Sequence, residues 1–374
     1  MKEINILIGG DFFTDKINIQ PLIKVEHLFI KADLSIINLE GPITNSNKPI
    51  LKTGPSLKMD SSIIDCLKSV DIVTLANNHI KDYGQTGIED TLKLLEDNKI
   101  EYLGGGKDLQ QAQKIIYKTI KGVRISFVNI AENEWSSATI DSGGANPMNI
   151  IDNVHQIKNA KQNSDHVILI IHGGHERFSF PSPRMKNQYR FYADNGADVI
   201  VGHHPHCING FEEYNKSLIF YSIGNLFFPS KTNYYEWYKG MFISLKISKT
   251  KEISFKFHPY YQSKEGVEFV ELMNKNDLKL FNIEMDDLNL VVNNQELLDQ
   301  KWHEFINFKY ENRLLQLSGK NGLFWIFLKK LGIVNFFINR MNLTVQYNLL
   351  RCESHREISL ESLAKYYENN SRNS

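Results

Sequence analysis

The sequence contains little cysteine, no excess of either charge and no long apolar run. Its cysteines, Cys66, Cys207 and Cys352, form no CxxC pair, which excludes a zinc ribbon or disulfide framework and fits a reducing compartment. Lys plus Arg and Asp plus Glu both number 43, so the formal net charge is zero. This balance argues against a nucleic-acid groove as the main surface. No run of about 18 uncharged apolar residues occurs, so no membrane-spanning helix is predicted.

The first residues, MKEINILIGGDFF, lead directly into an apolar strand-like segment. A secretory signal would need a basic region, a longer apolar run and a small-residue cleavage site. We therefore predict a cytoplasmic protein, with peripheral membrane association left open.

Apolar runs of strand length recur through the first 230 residues, and most end in polar residues. They cover residues 4–11, 34–41, 72–79, 124–131, 166–174, 198–204 and 218–225. Nearly continuous apolar runs are typical of strands buried on both faces, with helices on both sides of the sheet. Helix-like stretches at 86–100 and 187–199 lie between them. The pattern predicts an α/β fold, a layered α/β/α sandwich in residues 1–265.

The pattern changes after residue 240. Segments 242–249 and 253–262 alternate polar and apolar residues around a TKE turn, which predicts an antiparallel hairpin. Residues 266–374 are predicted to form an appended helical region. Its aromatic segment 322–340 is interrupted by Lys329, Lys330 and Gly332, and three interpretations stay open: a buried helix pair, an interfacial membrane segment, or a face that docks a partner.

The carboxyl ends of the predicted strands carry an unusual set of polar residues. They are Asp11, Glu40, Asn78, His79, His172, His203, His204, His206 and Asn225. Ligands bind beyond these ends in open α/β sheets, so we expect the side chains to meet at one sheet edge. Each residue alone has a simpler explanation, such as a turn, a helix cap or a loop histidine.

Taken together, these residues have the chemistry of a metal site. Mixed carboxylate and imidazole ligands suit Zn, Mn or Fe and argue against an all-oxygen Ca or Mg site. Six candidate ligands exceed the needs of one tetrahedral zinc. They are Asp11, Glu40, Asn78, His172, His204 and His206. Two divalent ions bridged by a carboxylate would use them all, as in phosphate-ester hydrolysis.

The order and spacing of several motifs resemble the CapA family of capsule and poly-γ-glutamate synthesis proteins, whose domain is similar to calcineurin-like metallophosphoesterases. The motifs are GD (10–11), NLEGP (38–42), LANNHIKDYG (75–84), GGG (104–106), HGGHE (172–176), GADVIVGHHPH (196–206) and YSIGNLFF (221–228). Glycine replaces the tryptophan of the family's usual HWGxE, and Phe13 stands where phosphoesterases carry the histidine of DxH. The first residues do not predict the membrane anchor that is frequent at the N-terminus in this family.

The resemblance implies a role for each matching residue. Asp11 and His206 would hold one metal ion, Asn78, His172 and His204 the other, and Glu40 would bridge. The implied proton donor to the leaving group is His79, with Asp82 orienting its imidazole. His175, Glu176 and Asn225 are expected to contact substrate or support the ligands, and Arg177 and Arg184 are candidates to grip an anionic substrate.

The histidines of VGHHPH are not equivalent in this interpretation. An extended chain points alternate side chains the same way, which predicts that His204 and His206 face the metals together. His203 would then be structural or support the ligands, although a role for His203 as the ligand stays open.

Two functions remain open at this point. The first is a metal-dependent hydrolase of the metallophosphoesterase type, acting through a metal-activated hydroxide on poly-γ-glutamate, another capsule polymer or precursor, or a phosphate ester. The second is a non-catalytic metal-binding assembly factor in capsule or polymer biosynthesis. The C-terminal helices are expected to contact a capsule-synthesis protein or a membrane surface.

Overall fold

The structure is a computed structural model that describes residues 3–52, 54–248, 253–317, 319, 322–333, 339–351 and 363. Contacts within the chain divide it into two compact units, Met1–Asp299 and Gln300–Ser374, and we describe each by itself.

The strands occur mostly in the first 250 residues. They are β1 (Ile4–Phe12), β2 (Leu34–Leu39), β3 (Ile72–Thr74), β4 (Glu101–Leu103), β5 (Gly105–Gly106), β6 (Ile116–Ile120), β7 (Val123–Ala131), β8 (Gly144–Ala145), β9 (His166–His172), β10 (Val199–His203), β11 (Phe211–Tyr214), β12 (Ser217–Phe220), β13 (Asn225–Phe227), β14 (Lys239–Ile247), β15 (Ser254–Gln262) and β16 (Val270–Leu272).

Helices alternate with the early strands and dominate the C-terminal part. They are α1 (Glu26–Lys31), α2 (Gly84–Asp97), α3 (Leu109–Ala112), α4 (Ile150–Gln162), α5 (Pro183–Asp194), α6 (Lys275–Val292), α7 (Gln295–Leu317), α8 (Leu323–Lys330) and α9 (Arg340–Arg351). Short 3-10 helices cover Ser61–Leu67, Tyr235–Tyr238 and Lys264–Gly266.

The strands of the first unit form two large sheets, where the sequence predicted one. The larger sheet has the order β16-β15-β14-β1-β2-β3-β4, with β13 also paired to β1, and the second has the order β11-β12-β10-β9-β7-β6. In both sheets the central pairs are parallel, as the long apolar runs predicted. The sequence could not show that there are two sheets, because the apolar pattern of a strand does not indicate which other strand pairs with it.

Side chains that alternate along each strand separate the core into layers. Ile6 and Ile8 of β1 belong to the same buried cluster as Ile168 and Ile170 of β9, which joins the two sheets face to face. The intervening Leu7 belongs to the cluster under α1 and α2. On the second sheet, the alternate residues of β9 pack with α4 and α5. The predicted α/β class, the layered architecture and the C-terminal helices are confirmed.

Three local predictions can be compared with the elements observed. The stretch 86–100 is helix α2, although it begins at Gly84. The stretch 187–199 contains most of α5, which begins earlier because Ser182 caps the helix through Met185 N and Pro183 occupies its first turn. Strands β14 and β15 form the predicted antiparallel hairpin.

Helix α6 begins at Lys275, after β16 and ten residues beyond the predicted domain boundary at residue 265. Its Phe281, Met285 and Leu288 are buried in the cluster between the sheets, so α6 belongs to the first unit. The predicted segment 322–340 contains α8 and the first residue of α9, while residues 334–338 lie outside the described residues. Within the described part of the chain, no helix is long and apolar enough to cross a membrane.

Candidate metal centre

The polar strand ends do come together, but they come from both sheets. Asp11, Glu40 and Asn78 lie at or just after the ends of β1, β2 and β3 in the larger sheet. His172 and His203 end β9 and β10 in the second sheet, where they are register partners. The expectation of one sheet edge was therefore wrong, because the site lies where two sheets packed face to face end together.

A glycine makes the approach to Asp11 possible. A Cβ atom on Gly10 would lie 1.9 Å from the carbonyl oxygen of Gly224, so no other residue fits while the chain keeps this path. The close contact brings the turn before β13 against β1, and Asp11 N donates a hydrogen bond to the same Gly224 oxygen. Asn225 is thereby held beside Asp11, its register partner.

One group of ligand atoms, which we call the His172 position, comprises Asn78, His172, His204 and Glu40. His172 Nε2 lies 3.0 Å from Asn78 Oδ1 and 3.1 Å from His204 Nδ1. Glu40 Oε1 is 3.9 Å from the same nitrogen. Ligands of one ion that bind at about 2.0–2.2 Å are separated by distances of this order. The four donors therefore converge as a metal site requires.

A second group, the His206 position, comprises Asp11, His206 and again Glu40. His206 Nε2 lies 3.7 Å from Glu40 Oε1, and His206 Nδ1 lies 3.7 Å from Asp11 Oδ2. Among the described residues, these two groups are the clusters of acid, histidine and cysteine side chains close enough to hold an ion. Since Glu40 belongs to both, its carboxylate lies where a bridging ligand would lie.

Glu40 supplies the test of whether a cation fits. It is fully buried, and neither carboxylate oxygen has a hydrogen-bond partner among the described residues. Burial raises the pKa of Glu40 well above its usual value, and the neighbouring Asp11 charge raises it further. A buried carboxylate without a donor is costly unless it is paired or coordinates a metal. The nitrogen and oxygen ligands around Glu40 fit divalent ions such as Zn, Mn or Fe.

The histidines of the site are in the state that metal ligation needs. Burial lowers the pKa of His172 well below 6.5 and also lowers the pKa of His206, so both rings are neutral near pH 7. Asp11 is the anionic counterpart. Burial alone would raise its pKa, but the neighbouring His203 ring, together with the His172 and His206 imidazoles, lowers it below 3.8.

The segment after β10 presents its histidines differently from the prediction. The extended conformation assumed for residues 203–206 is wrong: β10 ends at His203, and His204 and His206 have φ angles of 94° and 55°. This left-handed backbone turns both rings toward the ligand groups. His203 Nδ1 lies 3.1 Å from Asp11 Oδ1, so this ring supports a ligand. The metal-binding roles themselves stay predictions.

Asn225 fixes the orientation of His206. Its Nδ2 donates to the Trp237 carbonyl at 3.1 Å, so its Oδ1 is the atom that faces His206 Nδ1 at 2.8 Å. This hydrogen-bond arrangement assigns the proton to Nδ1 and leaves the Nε2 lone pair directed toward Glu40. Trp237 also packs on the His206 ring, with centroids 4.6 Å apart.

His79 and Asp82 lie together as expected, and they have a partner that the sequence did not reveal. His79 Nδ1 is 2.7 Å from Asp82 Oδ2, and Lys52 Nζ lies 2.5 Å from Asp82 Oδ1 and 3.2 Å from the same His79 nitrogen. All three side chains are buried. Lys52 comes from a loop without periodicity, so no pattern in the sequence pointed to it.

Asn38 is a second residue that the sequence reasoning missed. Its Nδ2 donates to Asp11 Oδ1 at 2.7 Å and lies 3.3 Å from His172 Nδ1, while its Oδ1 accepts from Thr74 Oγ1 at 3.2 Å. Asn38 therefore contacts one predicted ligand of each position, Asp11 of the His206 position and His172 of the His172 position. A signal was present, because an asparagine inside the apolar run LSIINL is unusual for a buried strand.

The side chain of Glu132 occupies the space beside Gly173, the glycine that replaces the family's tryptophan. A Cβ atom on Gly173 would lie 2.7 Å from Glu132 Cγ, so the Glu132 chain fills the space where a larger residue would begin. Glu132 Oε2 accepts a hydrogen bond from Gly174 N, and its other oxygen pairs with Arg184. Arg184, a predicted substrate-binding residue, is thus already engaged.

The remaining predicted residues lie at the outer side of the site. His175 is half-buried and Glu176 is exposed. The negative charge of Glu176 raises the pKa of both Glu40 and His206, so its carboxylate lies close enough to act on both. Arg177 is exposed and its guanidinium is 5.8 Å from the Trp237 ring, next to His206.

Comparison with known proteins gives the chain its family. A family model described as "Bacterial capsule synthesis protein PGA_cap" matches residues 16–230, more than half of the chain. The "Capsule biosynthesis protein CapA" of Bacillus anthracis is 36% identical over 163 residues, 42% of this chain and 40% of the relative. The "PGA biosynthesis protein CapA" of Bacillus subtilis is 33% identical over 210 residues, 54% of this chain and 55% of the relative.

The chain thus spans about half the length of these curated relatives. A solved structure described as a novel phosphatase from Mycoplasma pneumoniae covers 76% of this chain and 99% of its own, with 15% identity and a TM-score of 0.47. The resemblance to the CapA family, predicted from the motifs, is confirmed, and the chain belongs to the bacterial capsule synthesis protein PGA_cap family.

Proposed function

We propose that this protein is a metal-dependent hydrolase that acts on poly-γ-glutamate, another capsule polymer or a precursor of one. The observation that carries the proposal is the buried Glu40 carboxylate, which has no hydrogen-bond donor in the described part of the chain and is shared by two groups of ligand atoms. The names of the relatives support the polymer as substrate class, since both are described as acting in capsule or PGA biosynthesis.

Two divalent ions would be held at the His172 and His206 positions, with Glu40 between them. Bound there, divalent ions supply Lewis acidity that polarises a phosphoryl or carbonyl oxygen and makes water nucleophilic at neutral pH. The protein's own part is to fix the ligand atoms before binding. Asn38 and Asn225 do so by holding Asp11 and His206 through hydrogen bonds of 2.7 and 2.8 Å.

In this proposal His79 gives a proton to the leaving group. Asp82 occupies its Nδ1, so Nε2 is the nitrogen that remains to carry and release the proton. Lys52 binds the other oxygen of Asp82 at 2.5 Å and stabilises its negative charge inside the protein. This arrangement keeps the imidazole in one orientation, as a general acid needs.

The surface beside the His206 position suits an anionic substrate. Arg177 is exposed and is held by its backbone N–H, which donates to the Pro205 carbonyl at 2.9 Å. Its guanidinium lies near the rings of Trp237 and Tyr234. A guanidinium in this place can bind a carboxylate or a phosphate, whereas Arg184 is already paired with Glu132.

A specific observation favours the alternative, a non-catalytic metal-binding assembly factor. Phe13 stands two residues after Asp11, and its ring packs 4.8 Å from Phe228, which in turn contacts His206. Asp11 also accepts hydrogen bonds from Asn38 Nδ2 and His204 N on its two oxygens. The His206 position thus has fewer side-chain ligands than the His172 position. A protein holding one structural ion would have this asymmetry.

Metal analysis and one substitution separate these functions. The full chain would be stripped with chelator, reloaded with Mn, Zn or Fe, analysed for bound metal and assayed on a generic phosphodiester and a γ-glutamyl peptide. We expect two ions per chain and chelator-sensitive hydrolysis of one substrate. His79→Gln should lower kcat by about 100-fold or more while both ions stay bound, because a positioned general acid contributes about that much.

The matched control is His155→Gln, which changes an exposed histidine on α4 and should leave kcat unchanged. Metal bound at full occupancy without hydrolysis of either substrate would favour the assembly factor. A chain that takes up no divalent ion at all would contradict both functions.

A further inference from the structure

In the second compact unit, helix α8 exposes apolar side chains along one of its faces. On α8, Phe324 and Phe327 are 64% and 57% exposed, and Leu331 just after the helix is 54% exposed. Residues at this spacing of three and four share one face of a helix. Leu328, on another side, is 7% exposed and anchors the helix. The outward face of α8, which we call the α8 face, is therefore apolar.

The charges in the stretch of sequence that contains α8 all have one sign. Between residues 312 and 352 the sequence has no Asp or Glu and six basic residues. They are Arg313, Lys320, Lys329, Lys330, Arg340 and Arg351. The whole chain has a formal net charge of zero, so this excess is local. An apolar helix face within a stretch of sequence that carries only positive charge is the pattern of helices that lie in the surface of an anionic bilayer.

Helix α6 shows that exposed apolar residues alone do not make this pattern. Its Leu280 and Ile283 are 65% and 60% exposed, but the acidic residues Asp286 and Asp287 follow on the exposed side. An anionic surface would repel α6 and attract α8. Helix α6 can therefore serve as the control for a contact between α8 and an anionic surface that depends on charge.

We infer that the α8 face is a peripheral docking surface for an anionic lipid bilayer. Helix α8 spans only Leu323–Lys330 and no described helix could cross a membrane, so the contact would lie in the plane of the interface. Basic side chains would meet the lipid headgroups, and Phe324 and Phe327 would enter the boundary with the acyl chains. A soluble anionic polymer would satisfy the charges, but it would leave the phenyl rings in water.

Vesicle flotation with the full chain tests this inference. We expect binding to vesicles of phosphatidylcholine with 30% phosphatidylglycerol, weak binding to phosphatidylcholine alone, and loss of binding as salt rises. Lys320→Glu with Lys330→Glu should weaken binding by about tenfold or more, because each basic residue near an anionic surface contributes several-fold. Phe324→Ser with Phe327→Ser should weaken it at any salt concentration.

Helix α6 supplies the matched controls, Lys275→Glu with Lys279→Glu and Leu280→Ser with Ile283→Ser, which should bind as the unchanged protein does. Thermal unfolding of every variant checks that the fold is kept. No binding to the anionic vesicles at low salt would overturn the inference, and so would equal binding by the α8 and α6 variants. A third outcome is that soluble polyglutamate abolishes vesicle binding, whereas Phe324→Ser with Phe327→Ser does not weaken it. That result would overturn the inference and indicate that the basic stretch binds a polymer.

Lipid binding and hydrolysis are separate measurements in this design. His79→Gln should float with the vesicles as well as the unchanged protein does, because His79 lies in the other compact unit. A failure of the vesicle experiment would thus leave the proposed hydrolase untouched.

Discussion

The His172 position and the His206 position share Glu40 but differ in how completely the protein builds them. At the first, His172 Nε2 lies 3.0 Å from the Asn78 amide oxygen and 3.1 Å from His204 Nδ1. At the second there are three side chains, His206 Nε2 lies 3.7 Å from Glu40 Oε1, and both oxygens of Asp11 accept hydrogen bonds from the protein. The difference predicts that an ion would bind more tightly at the His172 position, and that an ion at the His206 position would keep coordination sites for water or substrate.

Replacing the shared ligand should have the largest effect, because it removes the only side chain common to both positions. We expect Glu40→Gln to reduce the affinity for both ions by more than about 100-fold, exceeding the loss usual for residues that only support a ligand. Metal content after dialysis, together with titration calorimetry, measures this. Retention of two tightly bound ions would show that Glu40 does not bridge.

Glu212 offers a matched control, since it is also a buried glutamate but is paired with Arg190. Glu212→Gln should lower the free energy of unfolding and leave both ions bound. A pH series on chelated protein adds a second readout. The raised pKa of Glu40 means that its contribution to stability is complete below pH 4.5 and is lost as the pH rises through the folded-state pKa. Glu40→Gln should therefore gain stability over the unchanged protein as the pH rises from 4 to 8.

Removing one histidine from each position should have unequal consequences. We expect His206→Ala to yield a protein with one ion, because the four donors of the His172 position stay in place. His172→Ala removes the nitrogen on which the other donors converge and leaves the weaker position, so it should retain less than one ion under the same dialysis. Equal metal content in the two variants would contradict the difference between the positions.

The smallest effect is expected from adding a ligand to the weaker position. Phe13→His places an imidazole two residues after Asp11, near Phe228 and His206. We expect a gain of about threefold to tenfold in the weaker affinity, limited because the new ring replaces buried aromatic packing. Competition titration with a chromophoric chelator measures it. If the dissociation constant of the weaker ion and the fold are both unchanged, the side chain of residue 13 does not bind this ion.

The strand ends were predictable because a polar residue after a buried apolar run has few structural reasons to be there. Asp11, Glu40 and His172 all satisfy that description. The prediction that His204 and His206 face the same way assumed an extended backbone. The structure does not have one, because both residues have positive φ angles. The local sequence shows that histidines are present but does not fix the φ angles that direct them.

The residues that the sequence did not reveal depend on contacts between distant parts of the chain. Lys52 reaches Asp82 from a loop, and Glu132 reaches Gly173 from the end of another strand. The second sheet was missed for the same reason, because whether β9 pairs with β1 or with β7 is decided by packing. Patterns in sequence report the periodicity of one element, whereas these features depend on which elements meet.

The contact between Glu132 and Gly173 implies that these two positions change together. A tryptophan at residue 173 needs the volume that Glu132 now fills, and Glu132 in turn holds Gly174 and Arg184 in place. Gly173→Trp alone should be poorly tolerated, whereas the same change combined with Glu132→Gly should be accepted. Relatives that carry the tryptophan are therefore expected to lack an acidic side chain here, and alignments of the family should show the exchange as a correlated pair.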